Sequence, residues 1–90
     1  MTRLMRRTNQ FKRDLKRQSK RGKNLSLLKS ALNLLLEQGS LPGVYRDHPL
    51  LGGYRGAREC HLESDWLLIY ELTEDELILV RTGSHADLFE

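Results

Sequence analysis

The sequence predicts an α+β fold in which two N-terminal helices pack on a small twisted antiparallel sheet. Leucines recur at intervals of three or four over residues 25–36, a spacing typical of an amphipathic helix. Three runs of β-forming residues follow in the second half, separated by the polar turns 63–65 and 73–75. A chain of 90 residues is expected to form one domain, spanning 1–90.

The first helix is predicted to begin after Thr8 or Asn9, since either side chain can cap a helix N-terminus. Phe11 and Leu15 follow at helical spacing on an otherwise cationic segment, and Gly22 ends it. This helix therefore has a thin apolar stripe.

The second helix is expected to begin after Asn24 and to end at Gly39. Its apolar stripe is broad, so it is predicted to be the main core helix. An irregular loop follows at 41–53. It is polar and long for so small a domain, which indicates a role in recognition or chemistry.

The sheet is predicted as an antiparallel meander of strands at about 54–62, 66–72 and 76–81. Residues 2–7 are predicted to form a short edge strand, with Leu4 as its inward anchor.

Turn centres near Ser64 and Glu74 place Leu67 opposite both His61 and Arg81. His61 and Arg81 would then lie in one row, two strand spacings or roughly 10 Å apart. One face of the sheet would carry Glu59, His61, Leu67, Ile69, Leu79 and Arg81. The helices are expected to cover the more apolar face, formed by Cys60, Leu62, Trp66, Leu68, Tyr70, Ile78 and Val80.

Positive charge is concentrated in the first third of the chain. Residues 1–29 hold eleven of the fifteen Lys and Arg residues and a single acid, Asp14. This surface suits phosphate or an acidic protein, with Lys12, Lys16 and Arg17 as candidate contacts. The alternative interpretation is an ordinary solvated helix face.

Several classes of protein are excluded by composition. No apolar run approaches the roughly 20 residues that a membrane helix needs, and the basic N-terminus lacks the features of a signal peptide. A single cysteine, Cys60, fits a reducing compartment. The protein is therefore expected in the cytoplasm, without a membrane partner.

His48, His61 and His85 lie outside the helical stripes, in company with Asp65 and Arg81. Their long separations argue against a structural zinc site, so neither a metal nor another cofactor is expected. One imidazole can accept a proton while another donates one. This pair of roles is what RNA cleavage by attack of a 2′-hydroxyl on the neighbouring phosphorus requires. Asp65, His61 or His48 would be the base, and Arg81 would hold the phosphoryl oxygens.

Four segments resemble the YafQ-type toxins of the RelE superfamily: Tyr45-Arg46-Asp47-His48-Pro49-Leu50, Arg58-Glu59-Cys60-His61, Asp65-Trp66-Leu67-Leu68-Ile69-Tyr70 and Arg81-Thr82-Gly83-Ser84-His85-Ala86-Asp87-Leu88-Phe89. The resemblance covers nearly the whole chain. It implies a RelE-like fold and a bacterial type II toxin, an endoribonuclease that cuts mRNA in the ribosomal A site.

The resemblance also implies the site and the partners. The family's catalytic group matches His48, His61, Asp65, His85 and Phe89, with His85 as the proton donor. The implied partners are the ribosome, mRNA and an acidic, DNA-binding cognate antitoxin, with operator DNA bound indirectly through the antitoxin complex. Two alternatives remain open at this point: a non-catalytic module that binds RNA or the ribosome, and a protein that serves mainly as a transcriptional co-repressor.

Overall fold

The computed structural model describes residues 3–89 and places one five-stranded sheet at the centre of the fold. In chain order the elements are β1 (Leu4–Arg7), α1 (Asn9–Lys20), α2 (Leu25–Gln38), β2 (His48–Pro49), β3 (Arg58–Glu63), β4 (Trp66–Leu72), β5 (Glu76–Gly83) and α3 (His85–Phe89), with short 3-10 helices at Gly43–Tyr45 and Gly52–Tyr54. The strand order in the sheet is β1-β5-β4-β3-β2.

The α+β class is confirmed, but the sheet is mixed rather than purely antiparallel. Strand β1 lies at the edge and pairs in parallel with the last strand, β5. The two helices and three other strands connect this pair, which permits a parallel arrangement. Leu4 is 72% exposed, so its prediction as an inward anchor is wrong. Thr2, also predicted in this strand, lies outside the described residues.

Both long helices begin and end where the sequence predicts. The Thr8 hydroxyl accepts a hydrogen bond from the Phe11 amide at 2.9 Å, and the Asn24 side chain accepts one from the Ser26 amide. Gly22 and Gly39 have φ angles of 81° and 69°, the left-handed conformation that glycine adopts without strain.

The main core lies between the two helices and one face of the sheet. Its buried members are Phe11, Leu28, Ala31, Leu35, Cys60, Leu62, Trp66, Leu68, Tyr70, Leu77 and Leu79. The predicted helix-covered residues of β3 and β4 are therefore confirmed. In β5 the prediction is wrong, because Leu77 and Leu79 occupy the places expected for Ile78 and Val80.

The register explains this error. Strand β4 pairs with β3 as predicted, with Leu67 opposite His61. Strand β5 is already displaced by one residue at the turn, because Leu72 pairs with Leu77 rather than with Glu76, and this displacement turns Leu77 and Leu79 toward the helices. The register shifts again beyond the pairing of Tyr70 with Leu79, where a β-bulge adds one more residue to β5. Arg81 therefore pairs with Ile69 rather than with Leu67 and does not lie in the row of His61.

Strand boundaries also differ from the prediction at both ends of the meander. Strand β3 begins at Arg58 rather than near residue 54, while β5 continues to Gly83. The loop before β3 contributes the two-residue strand β2, which pairs His48 with Glu59. Within residues 3–89, no helix is both long enough and apolar enough to cross a membrane.

Candidate active site

The face of the sheet opposite α2 carries a small apolar cluster and most of the predicted site. Ala57, Leu67, Ile69 and Leu88 form the buried part of this cluster, with Leu50, Tyr54 and Val80 packed against it. Because Leu88 belongs to α3, this packing brings the C-terminal helix over the sheet. His85 of the same helix thus lies beside His61, and Phe89 lies beside His85.

His85 and Asp65 form the closest ionisable pair of the site. The Asp65 Oδ1 atom lies 2.7 Å from the Nδ1 atom of the His85 ring and accepts the His85 backbone N–H at 2.9 Å. These two bonds, with a weaker contribution from Lys23, lower the pKa of the Asp65 carboxyl. A carboxylate can only accept, so Nδ1 carries the proton and Nε2 is left for proton transfer.

His61 lies beside this pair. The ring centroids of His61 and His85 are 5.8 Å apart, and the Phe89 ring lies 6.4 Å from that of His85. The Nδ1 atom of His61 is buried and has no hydrogen-bond partner among residues 3–89. Phe89 is 45% exposed and meets Tyr54 edge to face, so its ring is available to a ligand.

Glu59 joins the site, a role that the sequence analysis did not assign. Its side chain is only 6% exposed, and its Oε1 atom lies 3.1 Å from the Nε2 atom of His48. Side chains two residues apart on a strand lie on the same face of the sheet, so the position of Glu59 two residues before His61 could have indicated this role. The short strand β2, which the sequence does not predict, completes the arrangement by bringing His48 across from Glu59.

The loop that carries His48 is held by its neighbour Asp47. This carboxylate accepts hydrogen bonds from the Tyr70 hydroxyl at 2.7 Å and from Nε of Arg58 at 3.1 Å. Burial, followed by the contact with Asp47, raises the pKa of the Tyr70 phenol, so the hydroxyl stays protonated as a donor. Asp47 thus fixes the backbone from which His48 projects.

Arg81 is bound to a buried acid of α1. Its Nε and Nη2 atoms each donate to Asp14 at 2.9 Å, and Asp14 also accepts the Thr82 amide at 3.3 Å. Burial would raise the pKa of Asp14, but the bonds from Arg81, Gln10 and Thr82 lower it. Two of the three Arg81 guanidinium nitrogens are therefore committed to Asp14, and the charge of Arg81 is largely compensated.

The predicted basic surface lies on the exposed side of α1. Lys12, Lys16 and Arg17 are all exposed, whereas Phe11 and Asp14 of the same helix are buried. Arg17 has an acidic neighbour, with Nη1 3.9 Å from an Asp87 oxygen. Lys12 and Lys16 take part in no ion pair among the described residues, so both charges face solvent.

Three side chains of the site could together hold a metal ion. Within the described part of the chain, Glu59, His61 and His85 each offer one ligand atom, and these atoms lie within 4.8 Å of one another. The sequence argument against zinc considered only local ligand spacing. In the structure, the sheet and the C-terminal helix bring together ligands that are distant in sequence. Local spacing does not reveal a site of this kind.

Comparisons with known proteins find similarity over nearly the whole chain. Residues 3–90 match the YafQ toxin family, described as the bacterial toxin of type II toxin-antitoxin system, YafQ. The chain is 46% identical over 83 residues to the Escherichia coli K12 mRNA interferase toxin YafQ, covering 91% of this chain and 90% of that protein.

Two solved structures show the same fold. The Escherichia coli DinJ-YafQ toxin-antitoxin complex has a chain that matches with a TM-score of 0.92 and 43% identity, over 100% of both chains. A metal-bound toxin from Helicobacter pylori matches with a TM-score of 0.88 and 42% identity, over 99% of this chain and 100% of that one. The chain belongs to the YafQ family of bacterial toxins from type II toxin–antitoxin systems.

Proposed function

We propose that this toxin is a cytoplasmic endoribonuclease, an mRNA interferase that cuts mRNA in the ribosome by acid–base catalysis without a bound metal. The observation that carries the proposal is the placement of His85 on the Asp65 carboxylate and beside His61. The name mRNA interferase, carried by a relative of 46% identity, supports the same activity. The proposed toxin unit is the whole chain, 1–90.

In the proposed reaction His85 is the general acid. The Asp65 carboxylate accepts a hydrogen bond from Nδ1–H of His85. The protonated ring therefore donates its other proton, on Nε2, to the departing 5′ oxygen. The Asp65 carboxylate also stabilises the imidazolium before transfer. Asp65 was a candidate base in the sequence, but its bonds to His85 favour an orienting role.

The base is proposed among Glu59, His61 and His48, which adjoin one another around the middle of β3. Glu59 is the favoured member, because it is a nearly buried carboxylate within 4.8 Å of ring nitrogens of both His61 and His85. It would remove the 2′-hydroxyl proton, while His61 and His48 bind the phosphate or share the proton. Such closely placed groups titrate as a unit.

Arg81 and Phe89 are proposed to contact substrate. The Nη1 atom of Arg81, the nitrogen not bonded to Asp14, would reach a phosphoryl oxygen. The half-exposed ring of Phe89 suits stacking on a nucleobase next to the cleaved bond. Lys12, Lys16 and Arg17 would bind RNA phosphates of the ribosome or message, or the acidic antitoxin.

The proposed partners follow from the family. A chain of the DinJ-YafQ complex matches this toxin, so a cognate acidic antitoxin is proposed to mask the site. Operator DNA would be reached only through that antitoxin.

Glu59→Gln and His85→Gln provide the main test, in a translation assay in which 5′ ends of the message are mapped. Both variants are expected to lose about 100-fold or more of the cleavage rate, since each removes a proton-transfer group. Glu71→Gln is the matched control, because Glu71 is an exposed glutamate of the adjacent strand outside the site.

The same assay distinguishes the alternatives. A non-catalytic ribosome-binding module would inhibit translation without new 5′ ends, and His85→Gln would leave that inhibition intact. A protein acting mainly as a co-repressor would alter operator footprints without inhibiting translation. Either result would overturn the proposed chemistry.

Metal dependence requires a separate measurement. A chelator that removes zinc and copper but leaves magnesium on the ribosome is expected to leave cleavage unchanged. Added Zn²⁺ is expected to inhibit, because it would occupy Glu59, His61 and His85 and block proton transfer. Loss of cleavage with the chelator would show that the metal-free mechanism is wrong.

A further inference from the structure

The helix that carries His85 is too short to be stable alone. It comprises the five residues His85–Phe89, fewer than an isolated helix needs. Among its residues only Leu88 is buried, in the smaller of the two apolar clusters, and the Leu88 carbonyl accepts a 3.3 Å hydrogen bond from Tyr54. The position of α3 must therefore depend largely on polar contacts.

Asp87 makes the strongest of these contacts, with the end of α1. Arg21 donates from Nη1 and Nη2 to the two Asp87 carboxylate oxygens, at 2.6 and 3.2 Å. Gln18, which is buried, lies 3.5 Å from the same carboxylate, and Arg17 lies 3.9 Å away. The pairing with Arg21 and a hydrogen bond from the Ser84 amide lower the pKa of Asp87.

The same carboxylate also organises the start of α3. Asp87 accepts the Ser84 backbone N–H at 2.9 Å, while the Ser84 hydroxyl accepts the Asp87 backbone N–H at 3.1 Å. This reciprocal arrangement is a capping box. Gly83 makes room for it, because a Cβ atom there would lie 2.9 Å from Asp87 Cβ and Oδ2.

We propose that Arg21 and Asp87 are positioning residues: their ion pair fixes α3 against α1 and thereby holds His85 on Asp65 and beside His61. This inference rests on the proposed function, in which His85 is the proton donor. His85 is thus held from two sides, by the β3–β4 turn through Asp65 and by α1 through Asp87 two residues along. Neither Arg21 nor Asp87 needs to touch RNA for this role.

Arg21→Gln is the test, with Lys20→Gln as the matched control. Both remove one positive charge from the end of α1, but among the described residues Lys20 makes no ion pair and no side-chain hydrogen bond. When mRNA cleavage on translating ribosomes is measured, Arg21→Gln is expected to lower kcat by between about 10-fold and about 100-fold and to leave KM unchanged. A small misplacement of a catalytic group has effects of this size. Arg21→Lys should restore part of the rate.

A second readout does not depend on cleavage. Carbon NMR of the Asp65 carboxyl should show its pKa lowered in the wild type, through the bonds from His85 and the nearby Lys23. In Arg21→Gln this pKa should rise toward the ordinary value, and the His85 Nδ1–H resonance should broaden by exchange with water. Lys20→Gln should leave both signals unchanged.

Ser84→Ala supplies an independent variant, because it removes the hydroxyl that accepts the Asp87 amide without touching Arg21. It should shift the Asp65 signal in the same direction. Unchanged Asp65 and His85 signals in both variants, or an equal loss of kcat in Lys20→Gln, would overturn the positioning role. If the wild type fails to cleave RNA while Arg21→Gln still shifts the Asp65 signal, the proposed function is wrong and the positioning role stands.

Discussion

The two long helices stabilise the same sheet by different kinds of contact. Helix α2 contributes only apolar residues to its buried face, namely Leu28, Ala31 and Leu35. Helix α1 buries Phe11 together with two polar residues, Asp14 and Gln18. The apolar contacts of α2 fill the core, whereas the polar contacts of α1 bind particular residues near the C-terminus of the chain.

The difference connects α1 to the site. Asp14 bonds Arg81 and Thr82 at the end of β5, while Arg21 and Gln18 lie against Asp87 in α3. These contacts flank the segment that enters the site at His85. We infer that both helices stabilise the fold, and that α1 additionally determines where the proposed proton donor lies.

The largest expected effect is that of Asp14→Ala, which removes the acid of a buried ion pair. Arg81 would remain partly buried without its partner, and the Thr82 amide would lose its acceptor. We expect a loss of about 3 to 5 kcal/mol in the free energy of unfolding, measured by urea denaturation. Asp14→Asn should lose less, because its amide oxygen still accepts. A loss in Asp14→Ala below about 1 kcal/mol would contradict a structural role for the buried pair.

Leu35→Ala tests the apolar side of the comparison. Leu35 is fully buried in the main core, so the truncation should cost about 2 to 5 kcal/mol of unfolding free energy. Cleavage per folded molecule should stay at the wild-type rate, because Leu35 packs in the main core, whereas α3 packs through Leu88 in the cluster on the other face of the sheet. Leu25→Ala, at an exposed position of the same helix, is the control and should change stability little. A reduced rate in folded Leu35→Ala would remove the distinction between the helices.

Local patterns were sufficient to predict most of the architecture. Caps at Thr8 and Asn24, glycines at 22 and 39 and the leucine spacing of α2 all depend on neighbours in sequence, and the structure confirms them. The register of β5 depends on a bulge, and the pairing of β1 on a distant strand. Such features are decided by packing across the sheet, which local sequence does not record.

The candidate site divides in the same way. His61 and His85 are close together, as expected, but Arg81 pairs with Ile69 rather than with Leu67, because the turn and the bulge each displace β5 by one residue. Asp14 occupies a position between Phe11 and Gln18 on the buried stripe of α1. Asp14 is the one acid in residues 1–29, beside eleven Lys and Arg residues, and this contrast is apparent in the sequence. Its partner Arg81 is distant in sequence, so the sequence alone did not show why an acid lies there.

The two helix caps give a smaller and more direct comparison. The Thr8 hydroxyl accepts from the Phe11 amide and also donates to the Val80 carbonyl at 2.7 Å, at the bulge of β5. Among residues 3–89, the side chain of Asn24 bonds only within its own helix start, to Ser26. Thr8→Ala should therefore cost about 2 kcal/mol and Asn24→Ala about 1 kcal/mol of unfolding free energy. Thr8→Ser, which keeps the hydroxyl, is the control, and equal losses at the two caps would contradict the β5 contact.

The smallest expected effect appears at acid pH, where the Asp87 contact of α1 should weaken and the apolar contacts of α2 should not. The pKa of Asp87 is lowered in the folded state, chiefly by Arg21. Its stabilising contribution is therefore complete well above the unfolded-state pKa of about 3.9 and is lost as pH falls toward the lowered folded value. Between pH 6 and pH 3.5 the loss should be below about 1 kcal/mol, since pH 3.5 is only slightly below the unfolded-state pKa of about 3.9. It should be measured as the difference between wild type and Asp87→Asn, because other acids titrate equally in both proteins. If the two stability curves stay parallel down to pH 3.5, folding does not lower the pKa of Asp87, and the expected charge contact between Asp87 and Arg21 is contradicted.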